Sequence, residues 1–96
     1  MKGDLTKVPG VGKNMKQHLN RIGIHAVEDL IGRDPQELYM ASCLQENSQL
    51  DLCVLYVYRG AVYFAEHETH DREKLDWWYW KDHVYPQKVR SGQAVV

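Results

Sequence analysis

Asp4-Leu5-Thr6-Lys7-Val8-Pro9-Gly10-Val11-Gly12-Lys13 is the stretch that decides the fold. Leu5 and Val8 stand at helical spacing before a proline and two glycines, and helical spacing resumes with Met15, Leu19 and Ile22. The pattern predicts a helix, a tight hairpin and a second helix. On the second helix Met15, Leu19 and Ile22 form the buried stripe, which leaves Lys13, Lys16 and Asn20 on another face, in water. Gly23 is placed to end that helix in the left-handed region, with Ile24 as the apolar contact that accompanies such a cap.

Working outward, a second helical pair follows. Ala26, Val27, Leu30 and Ile31 are apolar on a short helix that Gly32 terminates. Asp34-Pro35-Gln36-Glu37 then offers an N-cap, a proline at the first helical position and a glutamate three residues after the cap. From Leu50 to Ala65 the chain is apolar nearly all round. Its valines and aromatics also suit a buried strand, but the length of the run, about eighteen residues counted from Ser48 without a turn signal, favours a central helix. Asp71 is the expected cap of a last helix bearing Leu75, Trp77, Trp78, Tyr79 and Trp80. The reading is an all-α domain over residues 1–83, with residues 84–96 a loosely ordered tail.

Ninety-six residues with 44% hydrophobic and 26% charged content make one soluble domain and exclude a multi-domain enzyme. The longest apolar run, broken by Arg59 and Gly60, is shorter than the roughly 20 residues a bilayer span needs. Without a signal-peptide core in residues 1–11, a cytoplasmic location is expected, with Cys43 and Cys53 as reduced thiols. The net charge of −1 hides an uneven distribution. Residues 1–25 carry Lys2, Lys7, Lys13, Lys16 and Arg21 against Asp4 alone, whereas residues 26–82 hold twelve acidic groups against five basic ones. Such a dipolar domain presents one basic face to a polyanion and repels it elsewhere.

Gly10-Val11-Gly12 at a helix start lets backbone approach a ligand closely, while free amides and the helix dipole attract an anion. A phosphate is the expected anion. Lys13, Lys16 and Lys7 add charge without reading any base, so recognition would be of the DNA backbone. In the second pair, Asp34 occupies the helix amides with its own carboxylate, so that half is structural and Arg33 is its one candidate phosphate contact.

Other groupings carry less. Cys43, Cys53, His67, His70 and His83 lack metal-ligand spacing, so no metal is expected. Glu66, Glu68, Asp71, Glu73 and Asp76 lie in a solvated stretch beside Arg72 and Lys74 and require no catalytic role, so neither an enzyme nor a cofactor is expected. In Trp77-Trp78-Tyr79-Trp80 four adjacent aromatics cannot share one helix face. One assignment has Leu75, Trp78 and Tyr79 closing the core against Tyr56, Tyr63 and Phe64. The other makes Trp77 or Trp80 a stacking platform for an unpaired base or an anchor for a protein partner, with the surrounding Asp71, Glu73, Asp76 and Asp82 disfavouring nucleic acid.

Leu5, Val8, Pro9, Gly10, Val11 and Gly12 at these offsets resemble the helix-hairpin-helix DNA-binding motif. Over residues 4–82 the chain resembles the small bacterial helix-hairpin-helix family called the pathogenicity-locus family. The resemblance is carried by residues 4–13, Val27-Glu28-Asp29-Leu30, Asp34-Pro35-Gln36-Glu37-Leu38-Tyr39, Cys53-Val54-Leu55-Tyr56-Val57-Tyr58-Arg59, Ala61-Val62-Tyr63-Phe64-Ala65-Glu66 and Trp77-Trp78-Tyr79-Trp80-Lys81-Asp82. It implies a SAM-like tandem helix-hairpin-helix, followed here by the central apolar helix and the Trp-rich C-terminal helix, and DNA binding by analogy. Lys16 stands where that motif usually has a small alanine, which either loosens the hairpin or adds a phosphate contact. Two functions follow as expectations: weak, non-specific binding of duplex DNA backbone through Gly10, Val11, Gly12, Lys13, Lys16 and Lys7, or protein–protein interaction through the helical surface or the tryptophan block.

Overall fold

The computed structural model describes residues 3–85, which form three α-helices and four 3-10 turns and no strand. The helices are α1 (Lys13–Arg21), α2 (Pro35–Glu46) and α3 (Leu52–Glu66). None of the described helices is long and apolar enough to cross a membrane. The all-α class expected from the sequence holds.

The chain enters through a 3-10 turn, Leu5–Lys7, where a longer helix was expected. Asp4 caps it, its carboxylate accepting from the Thr6 N–H and hydroxyl at 2.8 Å. Pro9 disfavours helical backbone in the residue before it, and Val8 is extended at φ −75°, ψ 126°, so the turn cannot propagate. Leu5 and Val8 are nevertheless buried, as their spacing required. At the far end of α1 the Gly23 N–H donates to the Asn20 carbonyl and the Ile24 N–H to that of Leu19. Gly23 sits at φ +90° and Ile24 is fully buried, as expected of this glycine cap.

The short helix expected over residues 26–31 is a single 3-10 turn, Val27–Leu30. The Asp29 carboxylate accepts from the His25 and Ala26 amides, and Gly32 at φ +81° reverses the chain before a second turn can form. Leu30 is buried, but Ile31 is 54% exposed, so the apolar set is narrower than the sequence implied. Asp34 caps α2 through the Gln36 N–H, with Pro35 in the first turn.

The central helix begins two residues later than expected, because the Asp51 carboxylate accepts from the Cys53 N–H and fixes the start at Leu52. Val54, Leu55, Val57, Tyr58, Ala61, Val62 and Tyr63 are buried along it. It is not dry all round, since Leu52 is exposed and Tyr56 and Phe64 are only partly covered. The buried Tyr58 hydroxyl is satisfied by Ser42 of α2 at 2.7 Å. His67 and His70 rings lie 2.9 Å from the carbonyls of Tyr63 and Phe64, which the helix end leaves without amide partners.

The Trp-rich helix is replaced by two 3-10 turns, Arg72–Leu75 and Trp77–Lys81, joined at an extended Asp76. Asp76, at φ −90°, ψ 128°, breaks the helical backbone there, and the Lys74 carbonyl accepts from the indole Nε1 of Trp80 at 2.9 Å. The expected places of Trp78 and Trp80 are also exchanged. Trp80 is the buried one, at 1% exposure, while Trp78 is 58% exposed. Tyr85 packs back on the core, its ring 5.7 Å from Trp80 and its hydroxyl donating to Glu66, so this part of the expected tail is in contact with the domain. Residues 86–96 lie outside the described residues.

Candidate nucleic-acid interface

The hairpin runs from Val8 to Lys13. A Val11 N–H to Val8 carbonyl bond of 3.0 Å closes it, with Gly10 at φ +86°, a region L side chains rarely adopt. Gly12 is the N-cap of α1, with extended backbone at φ −94°, ψ −167°, accessible to any residue. A Cβ there would meet nothing within 4 Å. Neither conformation nor packing therefore demands glycine at position 12. What its missing side chain leaves is open space in front of the first α1 amides. Those of Lys13, Asn14 and Met15 precede the first intrahelical bond, which Lys16 makes to the Gly12 carbonyl at 2.9 Å.

The lysines divide. Lys7 and Lys13 are exposed and have no ion-pair partner among the described residues. Lys16 lies 3.8 Å from the Asp4 carboxylate, and both side chains are about half exposed, a weak and screened contact. The contact joins α1 to the entry turn and leaves the Lys16 ammonium partly open to solvent. Arg21 is bound by Glu46 of α2, beside which His18 Nδ1 also sits at 3.4 Å. The cationic patch is smaller than the segment's charge implied, because Glu46 sits far away in sequence and next to Arg21 in space. In the second pair, Asp34 and Glu66 accept from the amides of Gln36 and Gly32, and Arg33 is left exposed.

The hairpin has a neighbour that no local spacing announces. The Cβ position of Gly10 lies 3.8 Å from the Cβ of Trp77 and 3.7 Å from the Val57 methyls. Trp77 and Trp78 meet edge to face with ring centroids 5.7 Å apart. The remaining candidate residues serve structure. Cys43 Sγ accepts from the Leu50 N–H at 3.4 Å, and burial, with the Asp51 carboxylate close by, pushes the Cys53 thiol up, away from reactive thiolate. His70 stacks on Phe64 and His83 on Tyr79. No group of three or more His, Cys, Asp or Glu side chains among the described residues is arranged to hold a metal ion.

Sequence places the chain among known proteins: it belongs to the Cdd1, or pathogenicity locus, family, whose profile matches residues 2–84. It is 35% identical over 80 residues to the mitomycin resistance protein McrB of Streptomyces lavendulae, across 75% of this chain and 76% of that protein. No solved structure matches it significantly.

Proposed function

We propose that the chain is a DNA-binding module of the helix-hairpin-helix kind, with a SAM-like pairing of two hairpins of which only the first binds. It grips the phosphate backbone without reading base sequence, through Gly10, Val11, Gly12, Lys13, Lys16 and Lys7. It works as a cytoplasmic binding module, without catalysis or a cofactor. The observation that carries this reading is Gly12: a glycine that neither backbone conformation nor packing requires stands where a side chain would screen the α1 amides from a phosphate. Lys13 is the adjacent unpaired cation, and Lys7 flanks the other side of the turn. With Arg21 neutralised and Lys16 partly so, few phosphates are neutralised, and binding is weak with a shallow salt slope.

The test is an anisotropy titration of the whole chain with unrelated duplexes at low ionic strength. Affinity should fall with salt with a slope equivalent to about two to four phosphates and differ little between sequences. Absence of binding at low ionic strength overturns the reading. The second reading, a protein-interaction module, has one observation in its favour: Met40 and Leu44, one turn apart on α2, are 56% and 81% exposed.

A further inference from the structure

We infer that the hairpin and the Trp77–Trp78 pair form one continuous surface whose preferred ligand is DNA at a junction of duplex and single strand. The hairpin holds a phosphate of the duplex, and the Trp78 indole stacks on an unpaired base beside it. This rests on the DNA-binding reading above and narrows its substrate class.

Three observations combine. The first is position: Trp77 is the packing neighbour of Gly10, so the tryptophan turn abuts the phosphate-facing turn and a single ligand reaches both. The second is exposure. The fold buries Trp80 almost completely, yet leaves Trp77 38% and Trp78 58% exposed. The third is order, since the edge-to-face contact of Trp77 and Trp78 gives the exposed indole a fixed neighbour and limits the freedom lost on binding.

The chemistry selects the ligand. Bases of a continuous duplex are stacked on one another and offer no free face, so an exposed indole gains from DNA only where a base is unstacked. The carboxylates around the tryptophans act in the same direction. Asp71 is paired with Lys74 at 3.2 Å, but Glu73, Asp76 and Asp82 flank the aromatic turn and repel phosphate there. An uncharged base face is accommodated at Trp78, while phosphates are drawn to Lys13 and the hairpin amides. One surface thus sorts the two parts of a nucleotide.

The experiment compares a blunt duplex with the same duplex carrying a short single-stranded overhang, at low salt, against the whole chain. Wild type should bind the overhang at least about fivefold more tightly, the lower end of what one stacked base contributes. Trp78→Ala should bring the overhang down to the blunt value and leave blunt binding unchanged, while Trp78→Phe, which keeps a stacking ring, should retain most of the preference. Equal wild-type affinity for the two ligands overturns the inference and leaves backbone binding standing. A Trp78→Ala variant that keeps the preference also overturns it. Failure to bind either DNA removes both readings.

Discussion

Trp80 occupies a notch that Gly60 leaves in α3: the indole Nε1 and Cδ1 atoms lie 3.0 and 3.1 Å from where a Gly60 Cβ would stand. Trp80 is held at both ends, its indole donating to the Lys74 carbonyl and its backbone carbonyl accepting from Arg59 at 2.7 Å. A glycine mid-helix, costly by propensity, is thereby the residue that lets the aromatic turn dock on α3.

Gly60→Ala is accordingly expected to destabilise, although helix propensity alone would gain up to about 1 kcal/mol. Overpacking against an anchored ring costs about 1–3 kcal/mol and outweighs that gain. The midpoint of urea unfolding should fall. A raised midpoint would show that Trp80 moves aside freely.

Leu55 is 6% exposed in the middle of α3. Leu55→Ala should cost about 2–5 kcal/mol through the cavity it leaves. A loss below about 1 kcal/mol in denaturant unfolding would show that the site collapses or is wetter than its burial indicates.

The two hairpin glycines should respond oppositely. Gly10→Ala places a side chain at φ +86° and should lower stability, by about 1 kcal/mol. Gly12 has extended backbone and is free of that constraint, so Gly12→Val should fold normally. Folded Gly12→Val should lose DNA binding, while Lys13→Ala should weaken all duplexes alike and reduce the salt slope by about one. A folded Gly12→Val with full affinity would leave the glycine without a binding role.

Acid should loosen the N-terminal turn. The Thr6 N–H, and then its hydroxyl, hold the Asp4 carboxyl below its ordinary value of 3.8, and the Gly3 N–H does the same for Glu28, whose ordinary value is 4.5. Because folding lowers both values, the stability they contribute is present above the ordinary carboxylate range and is lost as pH falls through the folded values. Unfolding midpoints of wild type and Asp4→Ala should therefore converge as pH drops below about 4. A gap between the two that stays constant from pH 7 to pH 3 would show that the Asp4 carboxylate contributes nothing through its charge.

Features built from neighbouring residues were legible in the sequence. The Gly23 cap, the Asp34–Pro35 start of α2, the Pro9–Gly10 turn and the buried run of α3 each follow from backbone sterics and from hydrogen bonds or apolar spacing reaching no more than a few residues. The family was legible for the same reason. Tertiary structure decided what depends on distant partners. Whether the tryptophan segment became an α-helix turned on Gly60 leaving room for Trp80, which moved Trp80 inward and Trp78 out. The extent of the basic patch turned on Glu46 reaching Arg21, and the neighbour of the hairpin on Trp77 meeting Gly10. Burial, ion pairing and the continuity of a surface are properties of residues brought together by packing, and no local spacing encodes which side chain, tens of residues away, will fill a notch or neutralise a charge.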